Sequence, residues 1–487
     1  MRQGPLAGRY PAVALMVVSA LVPYLALSAA LGAVTPLIAR DLDMSPQAMN
    51  VTSGMANAGY AVGTVLAVQF AQRLPQRRML LVYGTLLVIG SVLTAAATVP
   101  AMFIVGHVLQ GLCTSLLLIA AVPPLIIGYP AARLRTTAVI MNICIFGAVA
   151  LGPVVGGGQA SGNGWRPLFW IIAGIAVVAL VLSVLTFQDT PPADPDARVD
   201  YPALTLATVG CVAAFLGASE LLTHPFVDPT TCAPLFGGLL LIVLLFVHEY
   251  RTRRPLLCVR SLISTLPVAG IAAAICAAAA SVSAITLTLT TLTHRVTSLR
   301  LGLLCLPEFG GAVVTAVVFS VVFRTRLLHY YVLVGLVLLS AGVAVMNGAA
   351  PPTPALTAVG SGLVGIGVGA SVVPALFIAG FSLRSTEVQR VFAIIELIRA
   401  VAAFMIAPVL LYLASNIEPD DDVGTRTALW ICFGLSLVGA LVGIALYALG
   451  RVRPPSPSVE AWLGGRRPGW YSPPLFARFG ERGEVRR

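Results

Sequence analysis

Long apolar runs, each parted from the next by a short break containing Arg, Pro or Asp, fill almost the whole of this chain. About twenty apolar residues in helical form cross a bilayer core of about 30 Å. Runs of that size lie at roughly 13–38, 49–70, 79–98, 101–127, 138–160, 167–187, 204–222, 235–247, 266–292, 301–323, 329–347, 355–381, 391–414 and 427–449. The pattern predicts an all-α polytopic membrane protein with fourteen transmembrane helices. The eighth run is short, and the 101–127 run is long enough to tilt or to break near Pro123 and Pro124.

The breaks are uneven. QDTPPADPDARVDYP parts the sixth run from the seventh, and HEYRTRRPLLCVR parts the eighth from the ninth. Six helices, then two, then six predict an N-terminal six-helix bundle at 1–188 and an inserted two-helix hairpin with its flanking loops at 189–265. A C-terminal six-helix bundle follows at 266–450, then a loosely ordered, Arg/Pro-rich cytoplasmic tail at 451–487, too polar to span. Internal repeats of this kind are usual in transporters, where substrate binds near the midplane.

Composition strengthens the membrane reading. Of 487 residues, 58% are hydrophobic and only 10% are charged, where soluble domains carry about 25% charge. Lipid contact replaces the missing charge. A net charge of +11 would point to nucleic acid in a soluble protein, but here the arginines sit in short loops and orient the chain instead. With the N-terminus inside, the inner side carries sixteen arginines, among them Arg73, Arg77, Arg78, Arg133, Arg135, Arg251, Arg253 and Arg254. The outer loops carry five, and the tail adds eight more to the inside. The expected location is the inner (plasma) membrane, multi-pass, with both termini cytoplasmic. The first run lacks a small-residue cleavage site and reads as an anchor.

Several chemistries drop out. Every basic residue is Arg, so there is no lysine for a Schiff base or for a Walker-type phosphate site. The cysteines show no CxxC or metal spacing. No metal and no cofactor is expected. The spaced glycines of GIGVGAS in the twelfth run have no strand or acidic partner for a dinucleotide site.

The fifth run reads IFGAVALGPVVGGGQA, with Gly152, Pro153, Gly156 and Gly157 as GPxxGG. Pro153 removes a backbone donor and can bend the helix, while glycines let a neighbouring backbone approach. This segment resembles the major facilitator superfamily, whose exporters carry GPxxGG in the fifth helix. HVLQGLCTSLLL resembles the family's RxxQGxGxA at Gln110 and Gly111, and GNGWRPLFWI resembles its WRWxFWI at Trp165, Arg166, Phe169 and Trp170. LGLLCLPEFGG and IELIRAVAAFMIAP, the latter at Arg399, resemble helices ten and thirteen of the fourteen-helix drug:proton antiporter branch. The resemblance runs over residues 13–450 in helix count and order.

Departures accompany it. VQFAQRLPQRR stands where the family has GxLxDRxGRR: Arg73, Arg77 and Arg78 match, but Val68, Gln72 and Pro75 do not. Gln72 cannot supply the charge of the family's aspartate in the loop that latches the bundles. Leu27 stands where the antiporter branch has an acid in helix one, and His107 where the family has Arg. These losses leave proton coupling open.

Charge inside a membrane helix costs at least about 2.5–3.5 kcal/mol on insertion scales and marks functional candidates. Four residues qualify: His107, Glu308, Glu396 and Arg399. Glu308 follows Pro307, and an acid in that helix is the kind of group a proton carrier or a cationic-drug site needs. Glu396 and Arg399 share a helix face and read equally as an ion pair or as a substrate contact. His107 suits a proton relay or plain packing. Gln110 and Asn142 are neutral hydrogen-bonders for substrate or for helix contacts.

The reading is a secondary active transporter that exports small amphipathic or hydrophobic molecules (drug or natural-product efflux) by alternating access, with proton coupling open. The alternative is a lipid flippase-like or facilitative carrier without tight coupling. An enzyme would cluster His, Asp or Glu at one membrane face, and a sensor would need a larger soluble portion than the tail. The expected partners are an amphipathic small molecule, protons if coupled, and the bilayer, with no nucleic acid; the expected state is a monomer.

Overall fold

The computed structural model describes residues 3–477 except 163, 189–191, 193, 195–196, 294, 349–352, 418–420, 453–455, 466 and 476. The described chain is all-α. Its long helices are α1 (Tyr10–Asp41), α2 (Pro46–Arg73), α3 (Gln76–Ala95), α4 (Pro100–Ile127), α5 (Ala131–Ser161), α6 (Arg166–Thr186), α7 (Tyr201–Glu220), α8 (Pro229–Arg251), α9 (Thr265–Leu292), α10 (Ser298–Val322), α11 (Leu328–Met346), α12 (Pro354–Phe381), α13 (Val388–Ile417) and α14 (Asp421–Leu449). A one-turn helix, α15 (Val459–Leu463), follows.

Thirteen of the described helices are long and apolar enough to cross a membrane. The expected fourteenth, α2, is present as a helix but falls outside that set. Asn57 and Gln69 within its apolar stretch lower its hydropathy. The helix starts carry local signals. Ser45, Asp200, Asp228 and Thr353 each accept a backbone N–H of the first turn, and each is followed within two residues by proline.

Contacts divide the chain into two compact units. The first comprises Met1–Gly128, Ala148–Leu257 and Thr293–Leu303; the second comprises Tyr129–Gly147, Cys258–Leu292 and Leu304–Arg487. In the first unit α1 packs on α4, α6 and the second half of α5, and α3 packs on α4 and α6. In the second, α9 packs on α12, α13 and α14, and α11 packs on α12 and α14. Adding eight to each helix number of the first set yields the second, so one packing plan is built twice. The pair α7 and α8 belongs to the first unit, where α7 lies along α2. There Gln47 Nε2 donates to Glu220 Oε2 at 2.8 Å.

Burial follows position. The most apolar stretch of α12 is 78% buried, while that of α8 is only 28% buried. Phe236, Leu240, Val243 and Leu244 of α8 are exposed at roughly helical spacing, a stripe suited to lipid.

The tail corrects an expectation of loose order. Trp462 of α15 is buried and donates its indole N–H to Leu383 O at 2.9 Å and Gly380 O at 3.1 Å. Pro473 O accepts Thr265 N–H at 3.0 Å, and Ser472 Oγ accepts Leu266 N–H at 3.0 Å. The first-turn donors of α9, which have no partner within their own helix, are capped by the tail. A Pro-rich, polar segment was too weak a sequence signal to show the buried Trp462 and Trp470 as anchors.

Candidate functional site

The GPxxGG segment occupies the second half of α5. One turn ahead of it, Ile143–Gly147 form a π-helical turn, a widening of the helix that recurs at functional positions. A Cβ placed on Gly152 would lie 2.6 Å from Ala26 O, and one on Gly156 would lie 2.4 Å from Ala30 O. Both glycines therefore hold α5 against α1 at a distance no side chain allows. On another face, a Cβ on Gly157 would lie 2.2 Å from Ser298 O, and one on Gly302 of α10 would lie 2.4 Å from Pro153 O. Gly158, one residue on, meets nothing within 4 Å. Close approach is thus specific to the motif positions.

In the first unit, His107 and Gln110 are brought together. His107 Nδ1 lies 3.2 Å from Gln110 Oε1, and Gln110 Nε2 donates to Ser91 Oγ at 3.2 Å. The imidazole is stacked on Phe103 at 5.9 Å and tilted against Tyr24 at 6.0 Å. Tyr24 in turn donates to Asn57 Oδ1 at 3.3 Å. Tyr24, Asn57 and Ser91 were not singled out in the sequence. Their signal was faint: isolated polar groups on three helices in an otherwise apolar setting. Leu27, which stands at the position of the antiporter acid, is fully buried in an apolar cluster with Ala30, Leu31, Val34 and Phe169.

In the second unit, Glu396 and Arg399 form the buried ion pair that their spacing allowed. Arg399 Nε and Nη2 donate to Glu396 Oε2 at 3.0 and 2.6 Å, with the Glu396 side chain wholly buried. Glu308 is 7% exposed. It lies where the Gly365 backbone of α12 presses on its carbonyl, since a Cβ on Gly365 would sit 2.0 Å from Glu308 O. Asn142 is buried in the first half of α5, and its Nδ2 donates to Gly369 O of α12 at 2.8 Å. Its Oδ1 has no partner among the described residues. No described hydrogen bond or ion pair joins Glu308 to Glu396 or to Asn142.

The loop after α2 holds its residues by other means. Gln72 O accepts the backbone N–H of Asp194 at 3.0 Å, and the Arg77 guanidinium lies 4.5 Å over the Phe187 ring. Arg73 closes the last turn of α2 and Arg78 lies in the first turn of α3, each a basic residue at a short break. At the opposite end of α6, Trp165 Nε1 donates to Asp41 Oδ2 at 3.0 Å, and Arg166 Nη2 donates to Ala97 O at 3.0 Å. These contacts give the Trp-Arg pair a structural task, tying α6 to α1 and to the end of α3.

One cluster is not visible along the sequence: Asp200, His248 and Glu249 each place one ligand-type atom within 4.8 Å of the others. The hairpin of α7 and α8 brings together residues 48 positions apart, a juxtaposition that local spacing cannot show.

Three comparisons bear on this architecture. The model of the Major Facilitator Superfamily matches residues 16–330. The uncharacterized MFS-type transporter YubD of Bacillus subtilis is 23% identical over 270 residues, covering 54% of this chain and 52% of that protein. The multidrug resistance protein B homolog of Mycobacterium tuberculosis is 27% identical over 313 residues, covering 62% and 57%. The chain thus spans about half the length of these curated relatives. A solved peptide transporter POT structure superposes with TM-score 0.60 at 16% identity, covering 90% of this chain and 94% of that one, which shows the fold.

Proposed function

This chain belongs to the Major Facilitator Superfamily, and we propose that it is a secondary transporter exporting small amphipathic or hydrophobic molecules by alternating access. The observation that carries this reading is the glycine-proline segment of α5. Its three glycines are spent on backbone contact with α1 and with the first turn of α10, in the motif that exporters of the family share. The multidrug names of its relatives in Mycobacterium tuberculosis and Escherichia coli point the same way. Few charges lie within the helices, so the cargo is apolar or weakly charged. Glu308 is the proposed contact for a proton or for a cationic cargo. Glu396, Arg399, His107, Gln110 and Asn142 are proposed to hold the surrounding helices in register.

A second reading, a flippase-like or facilitative carrier without tight proton coupling, is favoured by two observations. Leu27 is sealed in apolar contacts at the place of the antiporter acid, and Gln72 supplies no charge in the loop after α2. Two assays separate the readings. In cells stripped of their own pumps, expression is expected to lower susceptibility to several amphipathic toxins; unchanged growth across the panel contradicts export. In proteoliposomes, loss of pH-gradient dependence in Glu308→Gln supports coupling, and transport indifferent to the gradient supports the facilitative carrier.

A further inference from the structure

The hairpin of α7 and α8 is not used by the transport argument, and its base holds an unusual group. Asp200 is the N-cap of α7: its Oδ1 accepts Ala203 N–H at 3.0 Å. His248 and Glu249 lie in the last turn of α8, and His248 Nε2 stands 3.2 Å from Asp200 Oδ1 and 3.4 Å from Oδ2. One oxygen of Glu249 completes the set within 4.8 Å.

One feature is unexplained by an Asp–His ion pair. Glu249 is wholly buried; its Oε2 accepts Leu257 N–H at 2.8 Å, but its Oε1 has no partner among the described residues. A buried carboxylate with an unpaired oxygen, beside a second carboxylate and at the negative end of a helix, lacks compensation for its charge. Nearby, Gln69 of α2 accepts Asp200 N–H at 3.0 Å through Oε1. An anion pair in such a place calls for a cation.

We propose that Asp200, His248 and Glu249 bind a divalent first-row metal ion of the zinc class at the base of the α7–α8 hairpin. Imidazole with two carboxylates suits zinc, and zinc–ligand bonds of about 2.0–2.2 Å at tetrahedral angles separate ligand atoms by about 3.3–3.6 Å. The 3.4 Å from His248 Nε2 to Asp200 Oδ2 already meets that spacing. Asp200 then divides its labour, Oδ1 capping α7 and Oδ2 facing the ion. Glu249 does the same, Oε2 holding the Leu257 loop. Water completes the four ligands. The ion fastens the start of α7 to the end of α8, and Asp200 carries the link to α2 through Gln69.

The test uses the full-length protein purified in detergent, stripped with chelator and reloaded with zinc, or with cobalt as a spectroscopic probe. The expected result is one ion per chain, a higher Tm with zinc and not with magnesium, and cobalt d–d bands of a tetrahedral nitrogen–oxygen site. Glu249→Gln and His248→Asn are each expected to weaken binding at least tenfold and to erase those bands. Glu249→Gln keeps an acceptor for Leu257 N–H, and size-exclusion profiles check that each variant is folded. No stoichiometric ion on the wild-type chain overturns the proposal, as does equal binding by both variants. If one variant does not fold, the other decides.

Discussion

Arg399 and Glu396 sit on one helix with their charges desolvated and directly paired. Removing one partner of such a pair strands the other, at a cost of about 3–5 kcal/mol. Arg399→Ala is therefore expected to lower the thermal midpoint in detergent sharply, and Arg399→Met combined with Glu396→Gln to restore much of the loss. A double variant no better than the single one would show that the loss does not come from a stranded charge. This pair was legible in the sequence, because three residues on a helix always share a face. Asn142 was legible only as a hydrogen-bonder. Its partner, Gly369 O, lies 227 residues away, and nothing local in the sequence encodes that meeting.

Element by element, the glycines of α5 are the most exact packing statement. Gly156→Val pushes a branched side chain into the Ala30 backbone, whereas Gly158→Ala meets open space. Measured by Tm and by yield of folded protein, the first is expected to be severely destabilised and the second to be close to neutral. Equal behaviour would remove the close-approach argument. The motif could be read in advance, but which helix each glycine faces could not, since that depends on the turn of the helix and on the π-helical segment at Ile143–Gly147. The tail was the least legible element. Trp462 is buried against Phe381, with ring centroids 5.0 Å apart. Trp462→Ala is expected to cost about 3–5 kcal/mol and to raise hydrogen exchange at the start of α9, which the tail caps. A local effect that spares α9 would contradict the capping role.

At the scale of the whole molecule, thirteen of the fourteen expected spans came through, in order, because lipid demands long apolar runs and leaves charge to the breaks. Only α2 was marginal; of its polar residues, Asn57 meets Tyr24 of α1 and Gln47 meets Glu220 of α7. The doubled packing plan was not readable from residues, since equivalent helices share geometry rather than letters. What the molecule moves is proposed to depend on few groups, with Glu308 foremost. The most direct test is reconstitution of the purified chain into liposomes loaded with a panel of neutral and cationic amphipathic dyes. Dye movement that is saturable and well above protein-free liposomes is the expected result. No movement of any dye by folded wild-type protein would contradict the account.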